Sequence, residues 1–91
     1  MRFEGQVAIV TGGAGGLGSG ICSAFAREGA NVAIVDNNNI QNGLALTKEI
    51  KTKYGREAVV VKTDVSNSVE VKEMVEAVYN RWHKIDILVN N

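Results

Sequence analysis

The chain has 91 residues, 45% of them hydrophobic, with ten basic and ten acidic side chains, so it suits one small globular domain without net charge. The charges are scattered rather than gathered into a basic stripe, which argues against nucleic acid and membrane partners, and no stretch approaches a membrane span in length. Its single cysteine, Cys22, excludes an internal disulfide framework and a multi-thiolate metal site, and Met1-Arg2-Phe3-Glu4-Gly5 opens without an apolar leader, so a reducing, cytoplasmic setting is expected.

Residues Gln6–Thr11 (QVAIVT) are short, rich in Val and Ile and nearly continuous in apolarity, which predicts a parallel strand covered on both faces. A glycine run follows at once and leads into a helix whose buried face is predicted from Leu17, Ile21 and Phe25, with Cys22 as a small core residue on its apolar side. Gly29 is placed to end that helix. Asn31–Asp36 (NVAIVD) is the second strand, and Ile40, Leu44 and Thr47 recur at helical spacing before a stop at Gly55. Ala58–Thr63 (AVVVKT) is the third strand. Ser66 or Asn67 can cap a third helix, with Glu70 three residues after Asn67 as in a capping box, and Val71, Met74, Val75, Val78 and Trp82 mark its core face. His83 ends this helix beside Arg81, Trp82 and Lys84, where a surface or helix-dipole role is expected rather than catalysis. Ile85–Asn90 (IDILVN) is the fourth strand.

The β-α-β-α-β-α-β alternation predicts an α/β fold, a truncated doubly wound parallel sheet of Rossmann-like form. Right-handed crossovers give it strand order 3-2-1-4, with the switch between the first and fourth strands. A free edge on the fourth strand invites association, so the isolated chain is expected to be poorly soluble or partly unfolded.

Chemistry concentrates in Thr11-Gly12-Gly13-Ala14-Gly15-Gly16-Leu17-Gly18. A diphosphate needs free backbone N–H groups at a helix start and glycines where the chain turns sharply or the ligand comes close. Three glycine registers fit: Gly13, Gly15 and Gly18; Gly12, Gly15 and Gly18; or Gly12, Gly16 and Gly18. Ser19 and Gly20 stand where a nucleotide-triphosphate loop needs Lys and Ser or Thr, which excludes that class. A glycine-rich turn with no ligand is the plain alternative. Asp36 closes the second strand eighteen residues after Gly18, where a carboxylate can accept from both adenosine ribose hydroxyls and repel a 2′-phosphate. Neither Gly15 nor Asn37 is cationic, so NAD is expected over NADP, unless Asp36 only caps the second helix. A methyltransferase, which also uses a glycine loop and a strand-two acid, is a more distant reading. No cluster of His, Cys or acidic residues has metal-ligand spacing.

Thr11-Gly12-x-x-x-Gly16-x-Gly18, Asp64-Val65 after the third strand, and Asp86-Ile87-Leu88-Val89-Asn90-Asn91 occur in order, and with them the whole chain resembles the short-chain dehydrogenases/reductases. Among these it is similar to 3-oxoacyl carrier-protein reductases and to sugar or alcohol dehydrogenases. The resemblance selects the Gly12, Gly16, Gly18 register. It implies that Gly12, Gly16, Leu17 and Gly18 surround the diphosphate, that Asp64 and Val65 flank the adenine, and that Asn91 lies beside the cofactor's ribose. Asp64 could instead cap the third helix, and Asn90 is expected to tie neighbouring loops rather than to catalyse.

The family's Tyr-x-x-x-Lys pair does not occur in these 91 residues, since Tyr54 is followed at that spacing by Ala58 and Tyr79 by His83. The expectation is therefore the N-terminal part of a single dinucleotide-binding domain, with catalytic residues elsewhere in a homo-oligomeric, full-length oxidoreductase of alcohol or ketone substrates. A non-catalytic dinucleotide-binding module is the alternative. The epimerase-like branch shares the Val10-Thr11-Gly12-Gly13-Ala14-Gly15 opening, but the fourth strand lacks its His-x-Ala-Ala type of ending.

Overall fold

Runs of Val and Ile favour extended backbone, and strands apolar on both faces need helices above and below them. The computed structural model describes residues 2–91 and meets that need. Its elements are β1 (Val7–Thr11), α1 (Gly16–Arg27), β2 (Asn31–Asp36), α2 (Ile40–Tyr54), β3 (Ala58–Lys62), α3 (Ser68–Trp82) and β4 (Ile87–Val89). The strands pair in parallel in the order β3-β2-β1-β4, the Rossmann-like arrangement expected from the sequence.

Alternate residues of the central strands feed two cores. Val10, Val32 and Ile34 meet Cys22 and Ala26 of α1 and Leu46 and Ile50 of α2. Val7, Ile9, Ala33 and Val35 meet Met74 and Val78 of α3 on the opposite face. All of β1 is buried, and so is β2 apart from Asn31.

Two ends are shorter than the apolar runs suggest: β3 stops before Thr63, and β4 is confined to Ile87–Val89. The reason for the second is Asp86, whose Oδ2 accepts from Val7 N at 2.9 Å while its own N donates to Val7 O at 3.0 Å. That residue closes the start of the β1–β4 pairing and leaves its own side chain beside Lys84, 3.3 Å away.

The helix faces depart further from expectation. Leu17 is 75% exposed, Leu44 46% and Val75 40%, so none of the three joins the core. In α1 the buried line is Gly18, Cys22 and Ala26, one residue on from the predicted stripe, with Ile21 and Phe25 packed half-buried beside it. In α2 it is Gly43, Leu46 and Ile50. The cause is close approach: a Cβ on Gly43 would lie 3.0 Å from Val60 Cγ2, so the bare helix surface sits directly on β3 and turns Leu44 outward. Met74 and Val78 are buried as expected, and Trp82 is half-buried with Nε1 donating to Glu57 Oε1 at 3.0 Å.

Gly29 (φ 99°) and Gly55 (φ 67°) end their helices in the left-handed region, as the sequence suggests. Asn67 is the cap of α3, its Oδ1 accepting from Val69 N and Glu70 N. The reciprocal half of the capping box is absent, because Glu70 Oε1 accepts from Asp64 N instead. His83 ends α3 at φ 60° with an exposed side chain, a stop that no glycine announces.

Candidate functional site

The carboxyl ends of all four strands converge at the switch between β1 and β4, where open parallel sheets form their ligand crevice. A cleft of about 290 Å³ lies there, lined by Thr11, Gly12, Asp36, Asp64, Val65 and Asn91 among others. Five of the sequence-predicted site residues, Gly12, Asp36, Asp64, Val65 and Asn91, are thus brought together. Gly16, Leu17 and Gly18 open α1 and do not line this cleft.

The glycine loop holds itself by its own amides. Gly13 N donates to Val35 O at 3.2 Å, Ala14 N to Asp36 Oδ2 at 3.2 Å, and Gly15 N to Gly12 O at 3.2 Å. The next three amides, of Gly16, Leu17 and Gly18, have no intrahelical acceptor by their place in the first turn, and no side chain caps α1. Gly16 and Leu17 are exposed. The helix therefore opens with unpaired donors and a partial positive charge, the arrangement that binds phosphate.

The glycines are required for different reasons. Gly12 has φ 65°, and a Cβ there would lie 3.0 Å from Asn91 Nδ2. A Cβ on Gly18 would overlap Gly12 O and lie 2.9 Å from Asn91 Nδ2. Gly13, outside the register that the resemblance selects, is as constrained, with Val10 O at 2.9 Å and Cys22 Sγ at 3.1 Å from the added atom. Nothing stands within 4 Å of a Cβ on Gly16, so the protein leaves that side open. Steric need alone thus marks Gly12, Gly13 and Gly18, while open space marks Gly16.

Asp36 is 8% exposed, and its carboxylate is largely engaged by main chain. Oδ1 accepts from Asn38 N (3.0 Å) and Asn39 N (3.1 Å), and Oδ2 from Ala14 N. Burial would raise its pKa, but the backbone amides together outweigh that and hold the group below the usual carboxylate range. It is charged at neutral pH. Asp36 thus forms a turn ahead of α2 rather than capping it, and as a carboxylate offers about four acceptor directions, with three taken about one remains for a hydroxyl.

Asp64 is similarly divided. Its Oδ1 accepts from Ser66 Oγ (2.6 Å) and Ser66 N (2.9 Å), contacts that lower its pKa, the hydroxyl first. It forms a turn before Asn67 rather than capping α3 itself. Val65 is 59% exposed and offers an apolar surface at the cleft. Asn91 ties the site together: its N donates to Thr11 Oγ1 at 3.1 Å, its Nδ2 to Gly12 O at 3.2 Å, and Thr11 Oγ1 donates to Val89 O at 3.2 Å. The loop-tying amide expected of Asn90 is therefore Asn91. Asn90 instead lines an apolar cleft against α3.

A larger cleft of about 450 Å³ lies between α1 and α2, lined by Gly15, Gly16 and Ser19 at the opening of α1 and by Glu49, which would repel a phosphate, on α2. Cys22 is fully buried with Sγ 3.6 Å from Gly13 O, and burial pushes its thiol up to about 12 against a smaller opposing backbone hydrogen bond, so it is unreactive core. Among the described residues no group of three His, Cys, Asp or Glu could hold a metal ion, and no helix is long and apolar enough to cross a membrane.

Known proteins resemble this chain in sequence and fold. Glucose and ribitol dehydrogenase homolog 2 of Arabidopsis thaliana is 36% identical over 94 residues, covering 98% of this chain and 32% of that protein. L-sorbose reductase from Gluconobacter frateurii, solved with NADPH and L-sorbose, superposes with a TM-score of 0.92 at 33% identity over 100% of this chain and 35% of its own. A short chain dehydrogenase from Burkholderia cenocepacia with NADP gives 0.94 at 35% identity, covering 100% and 37%. An NAD+-bound xylitol dehydrogenase gives 0.89 at 30% identity, covering 97% and 33%. The chain spans about a third of the length of these relatives. The model of the short chain dehydrogenase family matches residues 6–91, from the residue before β1 to the Asn91 that closes the cleft, and the chain belongs to that family.

Proposed function

We propose that this chain is the nucleotide-binding part of an NAD-dependent oxidoreductase acting on a small alcohol or ketone. The observation that carries the reading is the pairing of an uncapped α1 opening with an ionised Asp36 at the end of β2, on the two sides of one loop. The residues fit the cofactor: the amides of Gly16, Leu17 and Gly18 suit a diphosphate, Asp36 suits a ribose hydroxyl, and Asp64 and Val65 suit an adenine. When bound, the nicotinamide supplies hydride transfer.

The related structures carry NADPH, NADP and NAD+ in turn, two of the three with the extra phosphate, so the family admits both forms. The preference for NAD here rests on charge. A 2′-phosphate beside the Asp36 carboxylate meets like charge in a buried setting, and Gly15 and Asn37 supply no cation to compensate. We further infer that the 91 residues form the N-terminal part of a single dinucleotide-binding domain, in a cytoplasmic protein that works as a homo-oligomer. Titration of the intact protein with NAD and NADP tests the cofactor reading. NAD should bind at least about tenfold more tightly, and Asp36→Ala should narrow the gap. Equal affinity before mutation, or an unchanged ratio after it, refutes it.

A further inference from the structure

The bond from Ala14 N to Asp36 Oδ2 joins the two halves of the site. Ala14 is 4% exposed and Asp36 8%, so the bond is largely shielded from bulk water. The three loop amides before α1 are directed to three inward acceptors: a β2 carbonyl, the Asp36 carboxylate, and the loop's own Gly12 carbonyl. Of the three acceptors Asp36 alone is a side chain, and so set by sequence choice. The Ala14 side chain is pinned too, within the α1–α2 core and 3.5 Å from where a Gly43 Cβ would stand.

We propose that Asp36 is a positioning residue for the diphosphate loop as well as the partner of the ribose, so that sugar recognition and phosphate recognition are coupled through Ala14 N. The proposal rests on the dinucleotide reading above. Without the carboxylate, a buried N–H loses its acceptor, which a protein relieves by rotating the peptide. Rotation at Ala14 disturbs the bond from Gly15 N to Gly12 O and, through it, the Gly16 amide that begins the phosphate cradle. The loss then extends to ligands that never touch Asp36. A purely sugar-directed acid would have no such reach.

The discriminating probe is 2′,3′-dideoxyadenosine 5′-diphosphate, which keeps both phosphates and lacks the hydroxyls that Asp36 could accept from. With the intact protein, affinities for this compound and for ADP are measured by calorimetry for the unmodified chain, Asp36→Ala and Asp36→Asn. Coupling predicts that Asp36→Ala weakens the dideoxy ligand on the order of tenfold, and that Asp36→Asn, which retains one acceptor oxygen, recovers part of it. An unchanged dideoxy affinity alongside a weakened ADP affinity overturns the coupling while leaving the dinucleotide reading intact. No binding of either compound or of NAD by the unmodified protein overturns both. Should Asp36→Ala fail to fold, the amide proton shift of Ala14 in the unmodified protein decides the matter. It should move with the titration of the Asp36 carboxyl, and a shift indifferent to that titration refutes the bond.

Discussion

Replacing Gly18 and Gly16 separately by Ala distinguishes a glycine needed by the protein from one kept open for a ligand. At Gly18 the new methyl carbon would lie 2.8 Å from the Gly12 carbonyl carbon and 2.9 Å from Asn91 Nδ2, and it would overlap Gly12 O. Two of these three atoms are main chain, so relief requires the loop to move. Overpacking of this kind costs about 1–3 kcal/mol, and losing the Asn91–Gly12 hydrogen bond adds about 0.5–1.5 kcal/mol. The better helix propensity of Ala returns about 1 kcal/mol, leaving a net loss of about 0.5–3.5 kcal/mol for Gly18→Ala. At Gly16 no atom stands within 4 Å of the added Cβ, and its φ is not in the left-handed region. Gly16→Ala should therefore leave stability unchanged or raise it by about 0.4–1 kcal/mol. If the diphosphate lies against the Gly16 amide as proposed, the same methyl crowds it, and affinity for NAD should fall by about tenfold or more. Urea unfolding and calorimetric titration of the intact variants read the two effects separately. A Gly18→Ala protein of ordinary stability, or a Gly16→Ala protein that binds NAD normally, would show the steric reasoning to be wrong.

Two further outcomes follow from local geometry. His83 holds φ 60° at the end of α3 with no glycine's freedom to do so, so His83→Gly should stabilise the protein by about 0.5–1 kcal/mol in equilibrium unfolding, and a destabilised variant would argue against it. Asp36 is held below its ordinary value of 3.8, so its contribution to stability is complete above about pH 4 and disappears as the pH falls through the lowered value. The stability difference between the unmodified protein and Asp36→Asn should accordingly be constant above about pH 4 and shrink below it. A difference that grows on acidification would reverse the assigned sign.

The fold was legible because the strands of this chain carry two-sided burial in their composition: NVAIVD is apolar between its terminal Asn31 and Asp36, and β2 occupies those six residues. Helix phase was harder to read. A stripe sought from large side chains passes over Gly18, Cys22, Ala26 and Gly43, where the smallness of the residue is what lets helix and sheet touch. Leu17 and Leu44 were drawn toward the core by hydrophobicity and are turned out by that contact. At the site, motif order located the residues that line the strand-end cleft. It did not reveal that Gly13 is sterically fixed, that Asp36 is shared among three amides, or that Asn91 and Thr11 tie β4 to the loop. Those facts depend on atoms far apart in sequence, as in the Thr11–Asn91 bond between chain ends of β1 and β4. Spacing rules carry no information about them.

The central claim is that the free amides opening α1 receive a diphosphate. Backbone amide shifts of the intact protein, followed as NAD is added, test it most directly. Gly16, Leu17 and Gly18 should show the largest concerted downfield changes at saturation, with Asp36 and Val65 responding and His83 unmoved. Saturable binding that leaves those three amides in place, or shifts confined to Asn42, Ala45 and Glu49 of α2, would contradict the account.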